Sequence, residues 1–189
     1  MKRICVFCGS NSGIQPAYAE AAEALGKTLA EQKIELVYGG GHVGLMGVIA
    51  NAALHHGGHI IGVIPEALKI KEVAHEGRPD LRVVKNMHER KALMAELSDG
   101  FVVLPGGFGT CDEFCEILTW SQLGIHRKPV GFLDVAGFYR SLLHFFDHAT
   151  SEGFIRPAHR ESVLVADDAS QLLSKMTAWQ PPTEVKWIR

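Results

Sequence analysis

Short, continuous apolar runs alternate with helix-patterned stretches along the chain, and this alternation constrains the fold more than any other feature. RICVFC (3–8), IELVY (34–38), HIIGVI (59–64), LRVV (81–84), FVVL (101–104), PVGFLD (129–134) and SVLVA (162–166) have the length of strands. They are apolar on both faces, as expected of a parallel sheet covered on both sides. Between them Ala17–Gln32, Leu45–His56, Met87–Leu97, Cys111–Leu123, Phe138–Thr150 and Ser170–Met176 read as helices. Right-handed crossovers then predict an α/β fold, a Rossmann-like doubly wound parallel sheet with helices on both faces. A chain of 189 residues suits one domain over 1–180, with 181–189 as a peripheral tail beyond Pro181-Pro182. The stretch 65–80, with Pro65, Gly77 and Pro79, is the longest irregular candidate and a natural border for a site.

A formal charge of −2 gives no general attraction to nucleic acid or to an anionic membrane, so neither is expected as a partner. Lys2 and Arg3 precede an apolar run too short for a signal peptide, and no run approaches the ~20 apolar residues of a membrane span. The expected location is cytoplasmic. Cys5 and Cys8 sit in one strand and should face opposite sides of the sheet. Cys111 and Cys115, four apart on a helix, can both face a core. All four read as small hydrophobes rather than metal or redox groups.

Strand-to-helix loops of a parallel sheet all emerge at the carboxyl edge, where ligands of such folds bind. Three of these loops are glycine-rich: CGSNSG (8–13), GGGHVG (39–44) and PGGFGT (105–110). Glycine lets a backbone approach a ligand closely, and the helix that follows aims free N–H groups at an anion. A single such loop is as readily a tight turn, but three on one edge point to a phosphate-bearing small molecule. Gly39-x-Gly41-x-x-Gly44 matches the dinucleotide fingerprint, yet Pro65-Glu66 stand where its acidic residue should follow, which favours a mononucleotide over NAD.

Arg82, Lys85, His88, Arg90 and Lys91 form a local cluster opposed by Glu89, and Asn86 reads as the N-cap of the helix that carries the last two cations. Cations early in a helix oppose its dipole, so a solvated face, a salt bridge, an anionic ligand or a carboxylate such as Glu113 must compensate them. Thr110-x-x-Glu113 itself allows two readings. It fits a capping box, the Glu113 carboxylate returning to the Thr110 N–H. The glycines before it, which a cap does not need, count towards a site carboxylate, and both roles could hold in turn, the carboxylate leaving the cap when ligand arrives.

PGGFGTCDE (105–113) resembles the P-G-G-x-G-T-x-x-E motif of the Lonely Guy (LOG) family. Met87-His-Glu-Arg-Lys91 resembles the family's M-x-x-R-K segment, VYGGGHVGLMG (37–47) its glycine-rich second loop, and VFCGS (6–10) its opening. LTWSQLGIHRKPVG (118–131) extends the similarity, which runs from residue 4 to about 150; Asp112 departs from a common Glu. The resemblance implies hydrolysis of the N-glycosidic bond of cytokinin riboside 5′-monophosphates, releasing the free base and ribose 5-phosphate, in a family often mislabelled as lysine decarboxylases. It implies Arg90 and Glu113 as catalytic groups. It also implies substrate contacts from Ser10, Gly41, Glu72, Met87, Lys91, Gly106, Gly107, Gly109, Thr110 and Thr119. A carboxylate near the sugar would stabilise oxocarbenium-like charge or take a proton from water. Neither cofactor nor metal is called for: His144 and His148 lack an H-E-x-x-H context, HHGGH (55–59) straddles a helix end, and His42 reads as a surface or ligand-facing residue.

The helix around Cys111–Leu123 is apolar on two sides, so it is buried twice or meets a partner, and the family resemblance implies a homodimer. Three rivals are set against the main reading: a broader AMP nucleosidase, a nucleotide-binding protein without turnover, and a true lysine decarboxylase. The last would need pyridoxal phosphate and a Schiff-base lysine, with Lys91 the lysine nearest the motif.

Overall fold

The computed structural model describes residues 1–69 and 80–182. Among these, seven strands form one all-parallel sheet: β1 (Arg3–Phe7), β2 (Glu35–Tyr38), β3 (Ile60–Pro65), β4 (Asp80–Val84), β5 (Gly100–Val103), β6 (Val130–Leu133) and β7 (Val163–Ala166). Their order is β4-β3-β2-β1-β5-β6-β7, so the chain winds outward from β1 to one edge, crosses back to β5, and winds outward again. The expected doubly wound α/β fold is what forms.

Two hydrophobic layers follow from the two-residue period of the strands. Ile4, Val6, Leu36 and Val102 face α1 (Pro16–Glu31), α2 (Gly44–His55) and α8 (Ala169–Ala178). Cys5, Phe7, Val37 and Phe101 face α4 (Met87–Leu97), α5 (Phe108–Gln122) and α6 (Arg140–Ser151). Cys8 joins the first layer and Cys5 the second, as the strand reading expects, and all four cysteines are free thiols.

The structure corrects the sequence reading in several places. α5 starts at Phe108 rather than Cys111, because Phe108 and Gly109 take up the helix and Gly107 becomes its N-cap. Cys115 is exposed, not packed in the core: the buried stripe of α5 is Thr110, Glu113, Phe114 and Ile117. A 3-10 turn at Val135–Gly137 precedes α6, because Ala136 and Gly137 both take positive φ (53° and 70°) and postpone the helix to Arg140. Two short helices, α3 (Glu66–Lys69) and α7 (Pro157–Glu161), were not expected; the first occupies the start of the stretch read as irregular.

Candidate active site

β1 and β5 are neighbours whose chains leave in opposite directions, and doubly wound sheets bind ligands in the crevice at such a reversal. The loops after β1, β2 and β5 meet here, and Gly9 ties them together. Its N–H donates to the Pro105 carbonyl (3.0 Å), and its own carbonyl accepts from the Leu45 N–H (3.0 Å). Gly44 has a φ of +57°, and a side chain there would collide with the Ser10–Asn11 backbone, so glycine is what lets the first two loops close together.

The loops enclose a cleft of about 400 Å³, within the range of small-molecule sites. One side is the loop of Gly9, Ser10 and Asn11; another is Gly106, Gly107, Gly109 and Thr110, with Asp112 and Glu113 on the helix they lead into. Met87 and Arg90 enter from α4, and Tyr18 and Phe138 close the remaining wall. Because Gly107 offers no capping side chain, the first-turn amides of α5 stay available to an anion. Thr110 is the third residue of that helix and Glu113 the sixth, so the capping box does not form. The pattern was read from an apparent start at Cys111 that the helix does not have.

Glu113 and Arg90 form a buried pair, 7% and 8% exposed, with Arg90 Nη1 at 3.6 Å from Glu113 Oε1. The guanidinium is held from elsewhere: Nε donates to the Val63 carbonyl (3.1 Å) and Nη2 to the Gly39 carbonyl (3.4 Å). A Cβ at Gly39 would collide with Nη2, so the missing side chain makes the room that Arg90 occupies. The Cys8 thiol on the same wall is pushed well above its usual range by burial, then by the Glu113 charge, with Arg90 partly offsetting. It is a neutral thiol, not a nucleophile.

Of the residues expected at the site, Ser10, Met87, Arg90, Gly106, Gly107, Gly109, Thr110 and Glu113 line the cleft. Gly41 is buried within its loop, and Gly39 takes the place on the wall. Lys91 lies off the wall, its Nζ 3.0 Å from Asp112 Oδ2 and 3.1 Å from Glu116 Oε2. Burial would lower its pKa, but the hydrogen bonds it donates to Asp112 and Glu116 outweigh this and raise it, so the ammonium stays charged. Thr119 is exposed beyond the cleft, with its hydroxyl donating to the Cys115 carbonyl (2.7 Å). His42 is exposed and off the wall, and Glu72 lies outside the described residues.

The sequence reading missed the aromatic wall. Phe138 meets Tyr18 edge to face, with ring centroids 5.7 Å apart, and the neighbouring Tyr139 hydroxyl anchors the segment by donating to the Leu104 carbonyl (2.7 Å). The available signal was the position of Gly137-Phe138 just after the carboxyl end of another strand, on the ligand edge. Phe108, 97% exposed, stands at the mouth. Among the described residues no three His, Cys, Asp or Glu side chains are placed to hold a metal ion.

Comparison with known proteins bears on the identity of this cleft. Cytokinin riboside 5′-monophosphate phosphoribohydrolase LOG7 of Arabidopsis thaliana is 52% identical over 180 residues, covering 95% of this chain and 83% of that one. The chain belongs to the LOG family. The LOG enzyme of rice (Oryza sativa subsp. japonica) is 50% identical over 184 residues, covering 97% of this chain and 76% of its own. The family model described as "Possible lysine decarboxylase" matches residues 46–176. Among solved structures, the molybdenum cofactor carrier protein of Chlamydomonas reinhardtii shares the LOG-type fold. One structure superposes with a TM-score of 0.71 at 24% identity, covering 94% of this chain and 98% of that one. A second structure of that protein gives 0.68 at 26%, covering 92% and 98%.

Proposed function

We propose that this protein is a hydrolase of N-glycosyl bonds, a phosphoribohydrolase that releases the free base and ribose 5-phosphate from cytokinin riboside 5′-monophosphates. The relatives that span nearly the whole chain at about half identity carry that activity in their names. The observation that carries the reading is the buried Glu113–Arg90 pair, set on a cleft wall beside an uncapped helix N-terminus. The amides of Phe108, Gly109 and Thr110 cradle the 5′-phosphate. This fixes the ribose against Glu113.

As the C1′–N9 bond breaks, its electron pair goes to the base and positive charge develops on the sugar. The Glu113 carboxylate stabilises that charge and takes a proton from the attacking water, whose oxygen becomes the C1′ hydroxyl. The departing base takes up a proton from solvent to leave as the free base, and Glu113 afterwards returns to solvent the proton it took from water. Arg90, fixed by two carbonyls, faces Glu113 at 3.6 Å and offsets its charge. Ser10 and Met87 contact the nucleotide, and the Tyr18–Phe138 wall gives the base an apolar surface.

The decarboxylase description of the family model finds no support in the chemistry. No described lysine lines the cleft, and the Lys91 ammonium, held charged by two carboxylates, is a poor Schiff-base former. A second reading, a nucleotide holder without turnover, draws on the carrier protein that shares the fold. A substrate panel separates the readings. Isopentenyl-adenosine 5′-monophosphate should yield base and ribose 5-phosphate, while its dephosphorylated riboside should yield neither. Cleavage of plain AMP at equal rate would mark the broader nucleosidase. AMP binding with no product from any of the three would leave only the holder.

The same reading includes a single domain over 1–180, a cytoplasmic location and a homodimer joined near α5. Among the described residues no helix is long and apolar enough to cross a membrane. Half-buried Leu118 and Trp120, with exposed Ile125, support α5 as the contact.

A further inference from the structure

β1 and β5 pair in regular parallel register from Ile4 with Gly100 to Phe7 with Val103, and the Leu104 N–H still donates to the Phe7 carbonyl (2.9 Å). A parallel ladder continued by one step would give the Leu104 carbonyl to the Gly9 N–H. That donor passes over it and goes to the Pro105 carbonyl instead (3.0 Å). The ladder therefore slips by one residue where the cleft begins. The slip draws the loop after β1 against the loop of Pro105, Gly106 and Gly107, so closely that a side chain on Gly106 would strike both the Gly9 nitrogen and the Thr110 hydroxyl. Gly9 passes the placement on, its carbonyl accepting from the Leu45 N–H in the first turn of α2.

The slip takes the ladder donor away from the Leu104 carbonyl, in a residue with no exposed surface. A buried carbonyl needs another partner. The Tyr139 hydroxyl supplies it, donating across 2.7 Å from a side chain buried in the core. The tyrosine is itself clamped. Its N–H donates to the Asp134 carboxylate (2.7 Å), and its ring meets Phe132 and Phe138 edge to face, each with centroids 4.9 Å apart. Burial pushes its pKa well above the ordinary phenol range, so the hydroxyl remains a donor. It does not line the cleft.

We infer that Tyr139 is a positioning residue: by taking the Leu104 carbonyl it holds the one-residue slip between β1 and β5, and through the slip it sets the loop that leads into the phosphate-binding amides of α5. Without the hydroxyl, the Gly9 N–H is the donor that a regular ladder brings back, and Gly9 leaves Pro105. Arg90 is held by Val63 and Gly39, and Glu113 by α5, so the change falls on binding rather than on bond cleavage. The inference rests on the reading of this loop as a phosphate cradle and names what fixes its position.

Steady-state kinetics on isopentenyl-adenosine 5′-monophosphate and calorimetric AMP affinity test it, with melting temperatures measured alongside. The set is the wild type, Tyr139→Phe, Asp134→Ala, and a protein with para-aminophenylalanine at position 139, whose N–H donates in place of the hydroxyl. Tyr139→Phe should raise KM and the AMP Kd by about threefold to tenfold, the size of one hydrogen bond. Its kcat should stay within about twofold, the mark of lost uniform binding. The amino variant should return both constants to within about twofold of wild type, since it restores the donor. Asp134→Ala loosens the same segment but keeps the hydroxyl, so it should lower the melting temperature and leave KM within about twofold. A crystal structure of Tyr139→Phe should show the Gly9 N–H on the Leu104 carbonyl. Unchanged KM and AMP affinity in Tyr139→Phe, an equal rise in KM in Asp134→Ala, or no recovery in the amino variant would overturn the inference. So would Gly9 still bonded to Pro105 in that crystal structure. A wild type that binds AMP but releases no base would sink the phosphoribohydrolase reading alone, because AMP affinity reads the cradle by itself. A wild type that binds no AMP would sink the cradle, and the inference with it.

Discussion

At the scale of single residues, the site depends on space as much as on charge. Arg90 lies across Gly39, where even a methyl group would strike its guanidinium. Gly39→Ala should displace Arg90 and lower kcat/KM by about tenfold or more, since misplacing such a group by an ångström is costly. Steady-state assay checks this, and unchanged kinetics would mean that Arg90's present position is immaterial. The motif spacing pointed to Arg90 and Glu113 but not to Gly39, because sequence names glycines without saying which neighbour presses against each. Cys115 shows the opposite failure. An apolar pattern put it in the core with Cys111, yet the buried stripe passes through Glu113 instead. A carboxylate buried for chemistry occupies a core-facing position, which a hydrophobicity reading assigns to its apolar neighbours.

Among the elements, α4 and the connection into β6 carry separate consequences. Asn86 was legible as a cap, and its side chain does accept the Glu89 N–H (2.9 Å), while the Glu89 carboxylate accepts the Lys85 N–H (2.9 Å). Asn86→Ala should cost about 1 kcal/mol in denaturant unfolding, and Asn86→Gly only a few tenths. His126 follows α5 and was not singled out by sequence. Its Nε2 lies 2.9 Å from the Ile117 carbonyl, and its Nδ1 accepts from the Lys128 N–H (3.2 Å), an arrangement that suits the neutral ring. Burial first, then the charge of Lys128, hold its pKa below the usual 6.5, outweighing the Ile117 contact that raises it. The unfolded chain therefore binds this proton more readily, so stability falls as pH drops below about 6.5 and levels off below the folded-state pKa. Thermal melts from about pH 7.5 down to 5 should show that slope in the wild type and a shallower one in His126→Gln. Equal slopes would remove His126 from the account.

For the whole molecule, the alternation of apolar runs and helices established the α/β class, because the central strands are buried on both faces, while the edge strand β4 is not. It did not establish the order of strands. That β5 returns to the far side of β1 is decided by which helices cover which face, and the cleft exists because of that return. Trp120 on α5, Ile125 just beyond it and the exposed Phe145 on α6 leave apolar surface, and light scattering at micromolar concentration should report a dimer. A monomer would mean that this surface stays in water.

The central claim is that Glu113 performs the bond cleavage in a cleft that other groups assemble. It is tested most directly by measuring base release from isopentenyl-adenosine 5′-monophosphate beside AMP affinity, in the wild type and in Glu113→Gln. The account predicts base and ribose 5-phosphate in equal amounts from the wild type. In Glu113→Gln it predicts a rate lower by about 10²–10⁴-fold with AMP affinity within a few-fold. Turnover retained in Glu113→Gln would contradict it, whatever the wild type releases.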